Sequence, residues 1–379
     1  MRQVAENRLV WLKWGTIASL IAGLLLSAKL WVSTREYPLV PLLDLVPPVP
    51  YPLDYVFFGL FVVLLVGILL LRGRLAGAFA AGALVLATLL VLEDQSRLQP
   101  WFYQYCFMLA AVGLSDLGRL PAEGALNACR LVVASTYLWS GLQKANVSFA
   151  ENVYPWLMEP LASHLPSEAA SVLGHGAYAI PVTEAAIGLG LLVRPLRNPA
   201  VVAAILMHAF ILFSLGPWGH DWNSVVWPWN VAMVAFDLIL FWRAPDNPSF
   251  LAVLRPEGSA FRVVLLVLFA FMPVLNFVGV WDSYLSASLY SGSTEDAYVY
   301  TRDGSSRTFG TSIFDRAMTE MNVPAYPEER VYKRVFAEMW CENPPSRSRS
   351  SLVVYGRPEI ISGHRSKATY HCNELRESE

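Results

Sequence analysis

Tyr55-Val-Phe-Phe-Gly-Leu-Phe-Val-Val-Leu-Leu-Val-Gly-Ile-Leu-Leu-Leu71 carries no charge, and after Arg72-Gly-Arg74 a second apolar run extends from Leu75 to Leu92. At about 1.5 Å of rise per residue, each run crosses most of the roughly 30 Å of hydrocarbon in a bilayer. Two such runs, divided by so short a basic turn, predict a pair of membrane helices. Composition agrees: 55% of the 379 residues are hydrophobic and only 15% are charged, more apolar than a soluble core requires. A net charge of −2 and the lack of a basic tail set nucleic-acid partners aside.

Extending outward, the apolar segments predict about nine membrane helices: Trp14–Val32, Tyr55–Leu71, Leu75–Leu92, Trp101–Ser115, Leu126–Ala145, Tyr178–Val193, Ala200–Leu215, Val225–Trp242 and Phe261–Val280. Lys and Arg collect in alternate connections: Arg2, Arg8 and Lys13 before the first helix, then Arg72 and Arg74, Arg119, Arg194 and Arg197, and finally Arg243, Arg255 and Arg262. The opposite connections hold Arg35 and Arg97 among acidic residues and histidines such as Asp44, Asp94, Glu159, His164 and His220. The positive-inside rule therefore predicts an inside N-terminus and an outside C-terminus. The first segment lacks a small-x-small cleavage site before Lys29 and reads as a retained helix.

After Asp282 the composition becomes that of a soluble module. The expected architecture is an all-α polytopic bundle over residues 1–282 and a small extramembrane α+β domain over 283–379. Ala297–Thr301 and Ser351–Tyr355 read as strands, and Thr311–Met321 and Pro327–Trp340 as helices. Cys106 and Cys129 fall in membrane helices, whereas Cys341 and Cys372 lie on the outside, where oxidation is possible. A Cys341–Cys372 disulfide is predicted.

Lys144 ends the apolar stretch Leu131-Val-Val-Ala-Ser-Thr-Tyr-Leu-Trp-Ser-Gly-Leu-Gln-Lys144. A cation at membrane depth marks a functional site unless it snorkels to the interface, and both readings stand. Tyr137, Gly141, Lys144 and Ser148 share a helical face, with Ser140 one turn below the lysine. Desolvation would favour a neutral amine suited to general-base work, whereas a neighbouring carboxylate would hold the charge. Asp94, Arg97, Gln99, Trp101, Tyr103, Gln104 and Lys144 are all expected at the outer face, where they form either one polar pocket or an interfacial aromatic belt. Tyr154-Pro-Trp-Leu-Met-Glu-Pro160 is too short to span and reads as an interfacial segment, a possible roof beside Lys144.

Other intramembrane polar residues are Arg130, Glu184, His208, Asn230 and Asp237. Glu184 is expected either to pair with Arg130 or to be protonated, and His208 to be a satisfied core histidine. His220-Asp221, among tryptophans, is a weaker site. No metal-ligand spacing and no serine nucleophile elbow appear. Broken helices and repeated halves, the marks of a transporter, are missing too.

Asp94-x-x-Arg97 leading into an aromatic helix, followed by Tyr137-x-x-x-Gly141-x-x-Lys144, resembles the vitamin K-dependent γ-carboxylase and its bacterial relatives, the HTTM-domain proteins. The resemblance spans roughly residues 10 to 290, with motifs only between about 90 and 160. It implies a multispanning protein whose C-terminal region is outside, in a bacterial inner membrane. It also implies that Lys144 is the base that deprotonates a hydroquinone, with Arg97 and Asp94 beside it. Trp101, Tyr103, Gln104, Tyr137, Ser140, Gly141, Gln143 and Asn146 would then line a site for a quinone or similar lipid. The chain departs from the family at Trp101, where the family has a histidine, and at Gln143-Lys144-Ala-Asn146, where it has a lysine pair before Leu-Asp. The C-terminal region is also short. Quinone chemistry withstands these departures better than protein carboxylation. The competing expectation is a non-catalytic, DoxX-like membrane subunit or lipid-binding partner of a redox complex.

Overall fold

The computed structural model describes residues 2–43, 45, 47–174, 176–245, 247–302, 308–342 and 349–376. Asp44, one of the acidic residues expected outside, lies beyond the described residues. The chain is mostly helical and ends in a small antiparallel sheet. Among the described residues, five helices are long and apolar enough to cross a membrane: Gln3–Leu26, Leu53–Leu70, Gly73–Glu93, Arg194–Leu215 and Ala260–Val278. Ala179–Leu192 and Val226–Leu240 are shorter apolar helices. The helices Pro100–Asp116 and Ala122–Gln143 occupy the places of the other two expected spans, and the second is the more polar of these two.

The elements that position the site are α1 (Arg2–Leu26), α2 (Leu53–Leu70), α3 (Gly73–Glu93), α4 (Pro100–Asp116), α5 (Ala122–Gln143), α6 (Tyr154–Ala162), α7 (Ser167–Gly174), α8 (Ala179–Leu192), α9 (Arg197–Leu215) and α10 (Val226–Leu240). Pro100 opens α4, where its missing N–H costs nothing. The first helix begins earlier than its apolar run and stops at Leu26, followed by a 3₁₀ turn over Ala28–Trp31.

Helix α5 is the central element, buried along most of its length, and its closest neighbour is α8. Glycines on both helices permit that approach. A Cβ on Gly141 would lie 2.6 Å from the Pro181 carbonyl oxygen, and one on Gly188 would lie 2.6 Å from both the Ala134 carbonyl oxygen and the Leu138 nitrogen. Small residues thus bring the two backbones into contact.

The C-terminal sheet has β1 (Asp296–Arg302), β2 (Thr308–Ser312), β3 (Ser350–Tyr355) and β4 (Lys367–His371) in the order β2-β1-β3-β4. Val299 is opposite Leu352 and Leu352 opposite Tyr370. Ala297, Val299, Leu352 and Val354 face inward beneath α11 (Ile313–Met321) and α12 (Glu329–Phe336), where Ala317, Met321, Val331 and Val335 complete the core. Two differences from the sequence reading have local causes. Thr311 and Ser312 finish β2 instead of starting a helix, because the Ser312 hydroxyl accepts from the Asp315 N–H as an N-cap. The second expected helix starts at Glu329 and continues as a π turn over Ala337–Cys341. Cys341 and Cys372 are joined by a disulfide, with 5.3 Å between their Cα atoms.

This module is braced against the helix ends. Asn322 donates to the Leu26 carbonyl at 3.0 Å and to the Ser224 hydroxyl at 2.8 Å, and Gln99 donates to the Pro324 carbonyl at 3.2 Å. Arg316 pairs with Glu36, and Arg330 with Asp282.

Candidate functional site

The contact between α5 and α8 sets Glu184, the one charged residue of α8, opposite the last turn of α5. Lys144, immediately after that turn, places Nζ 3.1 Å from Oε1 and 2.9 Å from Oε2 of Glu184. The ammonium also donates to the Ser140 hydroxyl and, at 3.3 Å, to its carbonyl. Lys144 is only 9% exposed and Glu184 7%, so the pair is shielded from solvent. The expected partnership of Glu184 with Arg130 is not formed. Arg130 instead caps α10, donating to the Leu240 carbonyl at 2.9 Å and to Asn127 Oδ1 at 2.7 Å.

Lys144 and Glu184 face a cavity of about 90 Å³ enclosed by α5, α6, α8, α9, α10 and the linker that leads to β1. Tyr137, Ser140, His208 and Asn230 bring polar groups to it, while Leu157, Ile211, Met233 and Leu289 are among its apolar walls. Leu157 belongs to the interfacial segment expected as a roof, which here is a π turn over Phe149–Val153 followed by α6. Its backbone is tied down at two points: Ser214 donates to the Leu157 carbonyl at 2.7 Å, and His220 Nε2 lies 2.7 Å from the Trp156 carbonyl.

Behind the cavity wall is a chain of short contacts. The Tyr137 hydroxyl oxygen is 2.6 Å from His208 Nε2 and 2.7 Å from Asp237 Oδ2. His208 Nδ1 is 2.7 Å from Asn230 Oδ1, and the Asn230 amide donates to the Val226 carbonyl at 2.8 Å. Asp237 is fully buried.

The residues expected to converge on Lys144 separate into groups. Tyr137 and Ser140 share its cavity. Tyr103 and Gln104 line a neighbouring cleft that has Thr136 and Trp229 in common with it, and Gln104 accepts from Trp229 Nε1 at 3.1 Å. Gly141 is the helix contact, and Gln143 reaches the Pro273 carbonyl at 3.4 Å. Asn146 is a joint: its amide donates to the Gln143 carbonyl at 2.8 Å and the Ser291 carbonyl at 2.9 Å, and its oxygen accepts from Phe149 N–H. Helix α5 has ended before Ser148, so that residue is not on the lysine's face.

Asp94 and Arg97 do not line this cavity. Arg97 donates to Glu93 Oε2 at 2.6 Å, to the Leu90 carbonyl at 2.8 Å and to the Leu30 carbonyl at 3.1 Å. Asp94 pairs with Arg35 at 2.5 Å and accepts from Ser96 N–H at 3.0 Å. Burial alone would raise the Asp94 carboxyl, but Arg35 and then Arg97 hold it below the usual carboxylate range. The expected single pocket is therefore corrected: these carboxylates and guanidiniums satisfy one another and fasten the α3–α4 turn to the segment after α1. Trp101, where the resembled family has histidine, packs against Trp31, Phe102 and Tyr105 in this same aromatic core.

Glu184, His208, Asn230 and Asp237 join the site, although the sequence reading gave Glu184 and His208 structural roles and named Asn230 and Asp237 without one. A signal was present for two of them: Asn230 and Asp237 stand at i and i+7 on one face of a helix, two polar side chains aligned in an apolar segment. Among the described residues no group of three or more His, Cys, Asp or Glu side chains is placed to hold a metal ion. Comparison with known proteins finds no match to any family model, curated protein or solved structure.

Proposed function

We propose that this chain is an integral membrane protein, N-terminus inside and C-terminal module outside, whose cavity beside Lys144 binds the polar head of a lipophilic quinone, hydroquinone or similar lipid. The observation that carries the reading is the Lys144–Glu184 pair facing an otherwise largely apolar cavity between membrane-type helices. Apolar walls with a few convergent polar groups are the usual form of a small-molecule site. An ammonium held by a carboxylate is a hydrogen-bond donor, so Lys144 supplies donation to a ligand carbonyl or phenolate oxygen, and Glu184 is the nearest proton acceptor. The alternating charge of the connections and the disulfide of the C-terminal module support the orientation. At about 90 Å³ the cavity is smaller than the roughly 150 Å³ that takes up benzene in an engineered core. A ring therefore enters only as lining side chains move aside.

The same ion pair favours a second reading, a non-catalytic DoxX-like lipid-binding subunit, because a charged lysine is not a base. One experiment separates them. The protein is purified in mild detergent, its bound lipids are identified by mass spectrometry, and oxygen-dependent oxidation of added menadiol is followed for wild type and Lys144→Met. Turnover lost in the variant supports an enzyme; a retained quinone without turnover supports the binding subunit. If neither form retains or oxidises a quinone, the ligand class is wrong.

A further inference from the structure

The hydrogens of the Tyr137 network can be counted from its donors and acceptors. The Asn230 amide N–H₂ faces the Val226 carbonyl at 2.8 Å, which fixes its Oδ1 toward His208 Nδ1 at 2.7 Å. The reverse orientation would set two acceptors against each other at the Val226 end. Nδ1 therefore carries a hydrogen. A neutral His208 then has a bare Nε2, and that nitrogen needs a donor from Tyr137 at 2.6 Å. Ionised Asp237 also needs a donor from the same hydroxyl, at 2.7 Å. A phenol has one hydrogen and cannot serve both. Asp237 Oδ1 is buried with no hydrogen-bond partner among the described residues, so the carboxylate has no second source of stabilisation there.

We infer that Tyr137, His208 and Asp237 jointly hold one proton more than a neutral histidine and an ionised aspartate would, and that this proton moves between His208 and Asp237 through the Tyr137 hydroxyl. In one form Asp237 O–H donates to the Tyr137 oxygen, and the Tyr137 O–H donates to His208 Nε2. In the other, the Asp237 O–H bond has broken as a new Tyr137 O–H forms, and the former Tyr137 proton has become the Nε2–H of an imidazolium. Tyr137 then donates to the Asp237 carboxylate. No proton enters or leaves in the exchange. Only the position of the charge changes, from none to a cation on the cavity wall with an anion behind it.

The occupant of the cavity biases this exchange. Tyr137, His208, Lys144 and Glu184 all line the cavity, on α5, α9, α5 and α8, whereas Asp237 on α10 does not. A ligand that enters as a phenolate, its proton already lost to bulk water, adds negative charge and draws the proton to His208, whereas a neutral quinone leaves it on Asp237. This coupling rests on the ligand class proposed above, but the resting proton count does not.

Full-length protein in nanodiscs, labelled with ¹⁵N-histidine and ¹³C-carboxyl aspartate, tests both. Near neutral pH, His208 should be neutral with its hydrogen on Nδ1 while Asp237 shows a protonated carboxyl signal, or His208 should be an imidazolium while that signal is absent. Asp237→Asn assigns the carboxyl signal by its loss, and Tyr137→Phe should uncouple the two signals so that they no longer change in opposite directions. A neutral His208 beside an ionised Asp237 in the wild type, with the hydrogen on either nitrogen, overturns the count without reference to any variant. Menadiol presented at alkaline pH, as its phenolate, should convert Asp237 signal into imidazolium signal, and menadione at the same pH should not. Menadiol that binds without moving either signal overturns the coupling; menadiol that does not bind removes the coupling with the proposed ligand and leaves the resting count standing.

Discussion

At the scale of the residue, Lys144 and Glu184 illustrate how a buried pair behaves. Removing one member strands the other charge away from water, a loss of about 3–5 kcal/mol. Lys144→Met or Glu184→Met alone is expected to lower thermal stability in nanodiscs by that order, and the double variant to recover most of it. Equal, additive losses in the double-mutant cycle would show that the two groups do not depend on each other. Outside the membrane helices, Glu295 offers a pH test. Burial, reinforced by Glu328, pushes its carboxyl from the usual 4.5 to about 7. A raised acid binds protons more tightly when folded, so the stabilising contribution is full below the unfolded value and declines as pH rises toward about 7. Glu295→Gln should flatten that decline and stabilise the protein at neutral pH by roughly 1 kcal/mol, allowing for the partial exposure of the group. Denaturation followed across pH measures it. Lys144 was legible in the sequence because a lone cation at the end of an apolar run is conspicuous. Its partner was not, since pairing Glu184 with Lys144 instead of Arg130 depends on the rotation of α8 about α5, which no one-dimensional pattern contains.

At the scale of the element, α5 and α8 form the joint on which the site depends. Gly188→Val would press a branched side chain into the backbone of α5, with an expected loss of about 1–3 kcal/mol from overpacking. The same displacement should pull Glu184 from Lys144, so retention of any bound lipid ought to fall more than it does for an equally destabilising change on the lipid-facing side of α2, such as Val63→Gly. Apolar runs announced most helices, and the strands β1 and β3 were readable from their branched and aromatic residues. Strands β2 and β4 were not: Thr308–Ser312 and Lys367–His371 are short and largely polar, and they pair because neighbouring strands leave their edges open. The roof was visible as an amphipathic segment too short to span, though its opening π turn was not.

At the scale of the whole molecule, the disulfide closes a loop with a sequence separation of 31 residues. Loop-closure entropy for that length corresponds to about 3–4 kcal/mol, so Cys341→Ser/Cys372→Ser should lower the unfolding temperature of the C-terminal module, as read by calorimetry with and without reductant. The alternation of positive charge predicts an orientation from sequence, which stands as a proposal, whereas the bracing of the helix ends by this module had no sequence signature, being made of single amides and guanidiniums in unrelated loops. That bracing bears on how the protein is made. Asn322 reaches Ser224 and Leu26 across 98 and 296 positions of chain, so the groups that hold these helix ends together are synthesised long after the helices themselves. Contacts so remote in sequence form late and slowly. A ribosome still translating the last strands has already delivered the helices with these ends unfastened, and pulse-labelled nascent chains should pass from protease-sensitive to protease-resistant at those ends only once the module has closed.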